Sequence, residues 1–179
     1  ISIALIAPAL NTTVVIGSQA SVTLSSEIRR PVWWLTKSEL RERLLVWAAA
    51  GLLRVAPPLV LGEIVAGVVL HNWLFFAGAL PLTVALLMLI RAIGLACYVI
   101  LPGRNDLRGP GFLLRFLATY LLLIPPVVVW AVLQFATQVL VIGAIAGLLS
   151  AAVETYALVS FAAVRLQDNA MAFAVAEEG

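Results

Sequence analysis

The chain of 179 residues is 63% hydrophobic and 11% charged, with a mean hydropathy of +1.10, whereas a soluble domain carries roughly 25% charged residues. An ordinary soluble domain is thereby excluded, and the sequence reads as an integral membrane protein. Its net charge of +2 and isoelectric point near 9.1 suit loops that face anionic lipid, and they imply no nucleic-acid partner.

Crossing a hydrocarbon layer of about 30 Å as a helix takes about 20 apolar residues. Unbroken runs such as PLTVALLMLI and LVIGAIAGLLSAA favour helices, since the alternating pattern of a membrane β-barrel strand is missing. The expected fold is all-α: one transmembrane domain over residues 1–179, a polytopic helical bundle of about five spans with an amphipathic helix at the cytoplasmic surface.

The first span is expected over residues 1–17, interrupted by Pro8 and Asn11. It starts in mid-run at Ile1 and lacks the basic leader of a signal peptide, so it reads as a truncated membrane helix of a longer chain. Residues 25–43, SSEIRRPVWWLTKSELRER, then form a charged island. It holds Glu27, Arg29, Arg30, Lys37, Glu39, Arg41, Glu42 and Arg43, five of the eleven basic residues in a short stretch. Such a segment cannot lie in hydrocarbon, while Trp33 and Trp34 favour the boundary where a ring is half dry and its N–H wet. The island is expected to lie along the membrane surface, with Pro31 in a turn. A helix is expected to begin near Thr36, whose hydroxyl with the Glu39 carboxylate fits a capping box.

The second span, residues 44–70, contains Arg54, Pro57, Pro58 and Glu63, and is expected to kink or break near its middle. His71, Asn72 and Trp73 make a short turn, in which His71 is a polar turn residue. The third span, residues 74–100, carries Arg91 and the single cysteine, Cys97. With no second cysteine to pair with, Cys97 is expected to serve as a small buried hydrophobe. LPGRNDLRGPG spells an exposed loop. The fourth span, residues 112–133, carries Pro125 and Pro126; an uncharged turn at 134–138 leads to the fifth span, residues 139–164. Arg165, Gln167, Asp168 and Asn169 close that span, and AMAFAVAEEG reads as a surface tail.

Cytoplasmic loops retain Lys and Arg. The island, the 101–115 loop and the end of the fifth span hold nine of the eleven bases, and the turns at 71–73 and 134–138 hold none. This alternation places the island and the C-terminus on the cytoplasmic side of a multi-pass protein of the plasma or inner membrane.

Arg54, Glu63, Arg91 and Glu154 fall inside expected spans, where a charge costs about 2.5 to 3.5 kcal/mol on insertion scales. Arg54 stands ten residues from Leu44, Arg91 ten from Leu101 and Glu154 eleven from Arg165, so all three lie about 15 Å deep. Glu154 is therefore expected to pair with Arg91 or Arg54, either lining a transport path or locking helices together. Gly143, Gly147 and Ala151, four apart, form a small-residue seam that serves packing within the bundle or a dimer of two copies. The sequence contains no H-E-x-x-H, nucleophile-elbow or G-x-x-x-x-G-K-[ST] pattern, so no catalytic, metal or nucleotide-binding residues are assigned.

Glu27-Ile28-Arg29-Arg30-Pro31, followed by aromatics, a short amphipathic stretch and a long span, resembles the cytoplasmic segment of ABC-2-like permeases of the ABC exporter group. The loop LPGRNDLRGPGFLLR and the close after Arg165 are also similar to that group. The resemblance implies a transmembrane permease subunit, with this chain as the C-terminal part of a longer permease. ATP and magnesium would be held by a separate ATP-binding cassette ATPase that docks on residues 27–43 as a coupling helix. A membrane-embedded lipid-modifying enzyme and a non-catalytic anchor or assembly subunit are the alternatives, and a solvated interfacial loop is the alternative for the island.

Overall fold

The computed structural model describes residues 39–71, 73–100 and 110–168. Among the described residues the protein is all helical: α1 (Leu40–Leu70), α2 (Trp73–Ile100), α3 (Pro110–Thr137) and α4 (Leu140–Asp168). The expected span at 1–17, Trp33, Trp34 and the loop at 101–109 lie outside the described residues. So do the side chains of Arg54, Glu63 and Arg115 within their helices.

Helix ends depart from the sequence expectation in instructive ways. α1 begins at Leu40 rather than near Thr36, which lies outside the described residues. Glu39 occupies the N-cap position with extended backbone and no side-chain cap bond. Its carboxylate accepts a hydrogen bond from Arg41 Nη2 at 3.2 Å, an ion pair at the start of the helix; the expected capping box with Thr36 lies outside the described residues. α1 also runs unbroken through Pro57 and Pro58 to Leu70. It ends where His71, at φ 50°, turns left-handed and donates its N–H to Val68 O at 3.4 Å.

The turn expected at 134–138 shrinks to Gln138 and Val139, because α3 extends to Thr137. Thr137 Oγ1 donates to Leu133 O at 2.6 Å and accepts from Val139 N–H at 3.2 Å. Gln138, at φ 56°, donates Nε2 to Phe135 O at 2.8 Å. These polar side chains meet backbone groups that the helix ends leave open, so helix persists to the last possible residue. At the other end of α3, Pro110 takes the first helical position, where its missing N–H costs nothing. α4 runs on to Asp168, so Arg165, Gln167 and Asp168 belong to helix rather than to a closing loop.

α2 and α4 form the central pair, and α1 and α3 each pack on both. One core cluster joins Leu40, Leu44, Trp47 and Ala48 of α1 to Ala92, Leu95 and Tyr98 of α2 and Val159, Ala162 and Leu166 of α4. The start of α1 therefore lies at the same end as the close of α2 and of α4. A second cluster gathers Leu89, Ile90, Ile93 and Cys97 of α2 with Leu123 of α3 and Ala151 of α4. Cys97 is buried there as a small hydrophobe.

Among the described residues three helices are long and apolar enough to cross a membrane: Leu80–Ile100, Phe116–Thr137 and Val141–Asp168. The α2 window is 56% buried and the α3 window 17%, so α2 is the axis and α3 the periphery. The outward face of α3 is a stripe of Leu113, Leu117, Leu121, Ile124, Val128, Val132 and Phe135, all exposed. Spacings of three and four keep that stripe on one side, as a hydrocarbon solvent demands.

The small-residue seam is consumed inside the bundle. A Cβ on Gly143 would stand 2.9 Å from Trp130 O, and one on Gly147 would stand 2.9 Å from Trp130 Cβ and 3.0 Å from Leu82 Cδ1. Ala151, next in the series, is fully buried. The seam thus brings α3 and α2 close to α4, the packing role among the two expected for it.

Candidate functional site

The charged end of α1 is built into the bundle. Leu40 and Leu44 face the core and are buried, which turns Arg41 toward α4. There Arg41 Nη1 donates to Tyr156 Oη at 2.7 Å, and its guanidinium carbon lies 5.4 Å from the centre of the Tyr156 ring. Together with the Glu39 bond, this holds Arg41 on three sides while leaving its side chain 40% exposed. Glu42 is exposed and Arg43 half-buried. Glu27, Arg29, Arg30 and Lys37, the rest of the expected docking surface, lie outside the described residues.

Two turns further along α1, Arg91 of α2 folds onto the helix. Its guanidinium carbon is 4.4 Å from the centre of the Trp47 ring, and Nη2 donates to Trp47 O at 3.4 Å. The space it occupies exists because residue 51 is glycine: an added Cβ would fall at 1.8 Å from the Arg91 guanidinium carbon. Trp47 and Gly51, four apart, offer one face of α1, with the ring beside the charge and bare backbone beneath it.

Glu154 lies elsewhere. Its Oε1 accepts from Ser150 Oγ at 3.4 Å, and its Oε2 is buried with no hydrogen-bond partner. The expected pairing of Glu154 with Arg91 is not formed, and the reason is azimuth. Glu154 follows Gly147 by seven residues, two turns along the same face, and Gly147 looks at Trp130 and Pro126 of α3. On α2, Leu82 meets that glycine edge, and Arg91 is nine residues on, half a turn round the helix. Arg91 therefore looks toward α1 and Glu154 toward α3. The side chains of Arg54 and Glu63, the other members of the expected charge network, lie outside the described residues.

Trp47, Gly51 and Tyr156 carry this site and were not singled out from sequence. Their signals are a tryptophan one turn before a glycine, and a tyrosine in the middle of a membrane-length helix, where its hydroxyl needs a polar partner. No protein-family model matches this chain, and no curated protein or solved structure is similar to it.

Proposed function

We propose that this chain is the membrane-embedded permease subunit of an ABC-type exporter, moving substrate with the energy of ATP hydrolysed, with magnesium, on a separate ATPase. In this reading five spans cross the plasma or inner membrane, the island and the C-terminus face the cytoplasm, and residues 27–43 receive the partner. One observation carries the reading: Arg41, Glu42 and Arg43 are the first turn of a helix that continues for 31 residues. A partner pressing on that turn moves a stiff rod, not a detached loop. The rod is tied to α4 through Tyr156 and to α2 through Arg91, so displacement at the surface reaches both central helices.

The test reverses charge where the fold does not need it. Glu42 is exposed, so Glu42→Lys leaves membrane insertion intact and is expected to weaken co-purification of an ATP-binding cassette ATPase co-expressed with this chain. Undiminished co-purification overturns the docking assignment. A purified chain that turns over lipid by itself supports the membrane enzyme instead.

A further inference from the structure

Glu154 stands in the middle of the apolar α4, and its Oε2 is buried with no hydrogen-bond partner. As a carboxylate it can only accept, and the donor it meets is Ser150 Oγ, 3.4 Å from Oε1. An ionised oxygen left in that state in hydrocarbon is costly, whereas the acid form carries an O–H that can be given to an acceptor.

α3 offers an acceptor that lacks a donor. Pro126 lies inside α3 and brings no N–H, so the Leu122 carbonyl loses its usual helical bond. Pro125 does the same to Leu121, but Pro125 is exposed, whereas Pro126 is fully buried and its carbonyl meets α4. The helix register brings acid and acceptor to one level. A Cβ on Gly143 would stand 2.9 Å from Trp130 O and one on Gly147 would stand 3.2 Å from Pro126 O, so each step of four along α4 moves four back along α3. The next step sets Ala151 beside the carbonyl of Leu122, and Ala151 shares a core cluster with Leu123. A helical side chain leans toward the N-terminus of its helix, and Glu154 leans far enough to reach Ser150. Its carboxyl therefore hangs at the level of Ala151, on the side of α4 that faces α3.

We infer that Glu154 is a proton-binding site: it holds its carboxyl as the acid and donates that proton to the Leu122 carbonyl, clasping α4 to α3. Loss of the proton sets two acceptor oxygens against each other and frees α3, the least buried of the three membrane-length helices. The described ionisable groups on the packed elements are engaged elsewhere. Arg91 of α2 turns to Trp47, Arg41 of α1 bonds to Tyr156, and Arg165 of α4 lies over Phe161. Tyr120 of α3 is neutral, with its ring 4.6 Å from that of Phe116. The side chains of Arg54, Glu63 and Arg115 lie outside the described residues, and Arg115, the basic residue of α3, enters the test. The clasp is independent of the transport reading.

Two measurements test it in the full chain. In native membranes at neutral pH, dicyclohexylcarbodiimide, an apolar reagent that adds to carboxylic acids and not to carboxylates, leaves a mass adduct on the peptide that carries Glu154. The adduct declines as the pH is raised, is missing in Glu154→Gln and is unchanged in Arg115→Leu. No adduct on Glu154, or one that appears only in Arg115→Leu, where an ion pair has been broken, overturns the site. In detergent, Glu154→Leu lowers the unfolding temperature by about 2 °C or more, whereas Glu154→Gln, which keeps an N–H donor, loses less than half as much. The Glu154→Leu loss falls by at least half in a Pro126→Ala background, where a backbone N–H returns to Leu122 O. Equal losses for the two Glu154 variants, or for Glu154→Leu in the two backgrounds, overturn the clasp.

Discussion

Three glycines set the residue-scale tolerances, and they differ in what a methyl group would strike. At Gly51 the obstacle is the Arg91 guanidinium, the far end of a flexible side chain that can swing away. Gly51→Ala is expected to cost no more than the contact it displaces, about 1 kcal/mol for a cation–π pair. The effect should vanish in an Arg91→Leu background, because the two changes remove the same interaction. At Gly143 the obstacle is Trp130 O, and at Gly147 it is the Trp130 Cβ and, at 3.2 Å, Pro126 O. Backbone cannot yield without moving α3, so Gly143→Ala and Gly147→Ala are each expected to destabilise by about 1–3 kcal/mol. Thermal unfolding in detergent orders the three; a Gly51→Ala loss exceeding that of Gly147→Ala contradicts the packing described.

The same scale shows where sequence reading falls short. Counting from the helix ends gave Arg91 and Glu154 a common depth, but a contact needs an azimuth as well. The azimuth was fixed only once Gly147 was seen against α3 and Trp47 against α2. By contrast, Cys97 and the glycine seam were legible, since an apolar run with small residues four apart has few uses besides close packing.

Among elements, the contrast lies between the start of α1 and the outer face of α3. Both are rich in leucine, yet Leu44 is fully buried and Leu121 is 67% exposed. Leu44→Ala should open a cavity between α1, α2 and α4 and cost about 2–5 kcal/mol, whereas Leu121→Ala exchanges one lipid contact for another and should be near neutral. Circular dichroism melts of the two variants decide this, and equal losses would mean that the α3 stripe is covered. The apolar runs of α2, α3 and α4 were legible at this scale because length and apolarity are properties of a run. Their ends were not, because Thr137 and Gln138 bond back to Leu133 and Phe135 and prolong α3 through residues that composition assigns to a turn. The start of α1 was misjudged for a related reason. Glu39 was expected three residues inside a helix, where its carboxylate would bond backward to the chain, but it precedes the helix and bonds forward to Arg41.

For the whole molecule, the connection of only Gln138 and Val139 between α3 and α4 forces those helices to run antiparallel. The end of the bundle that holds Arg41, Arg43 and Arg165 is therefore opposite the end that holds Gln138, and the described residues at that second end include no Lys or Arg. Positive charge stays on the cytoplasmic side during insertion, so the arginine end is expected to face the cytoplasm. Site-specific labelling with a membrane-impermeant thiol reagent, in a Cys97→Ala background, reads this directly. Asn105→Cys, in the basic loop, should react only when the cytoplasmic face is open to the reagent. For the far side Val139→Cys is preferable to a change at Gln138, because Val139 is exposed and Gln138→Cys would lose the bond from Nε2 to Phe135 O. Val139→Cys should react only from outside. Labelling of both positions from one face would mean that α3 does not cross the membrane, and the alternation of charge along the chain would then need another cause.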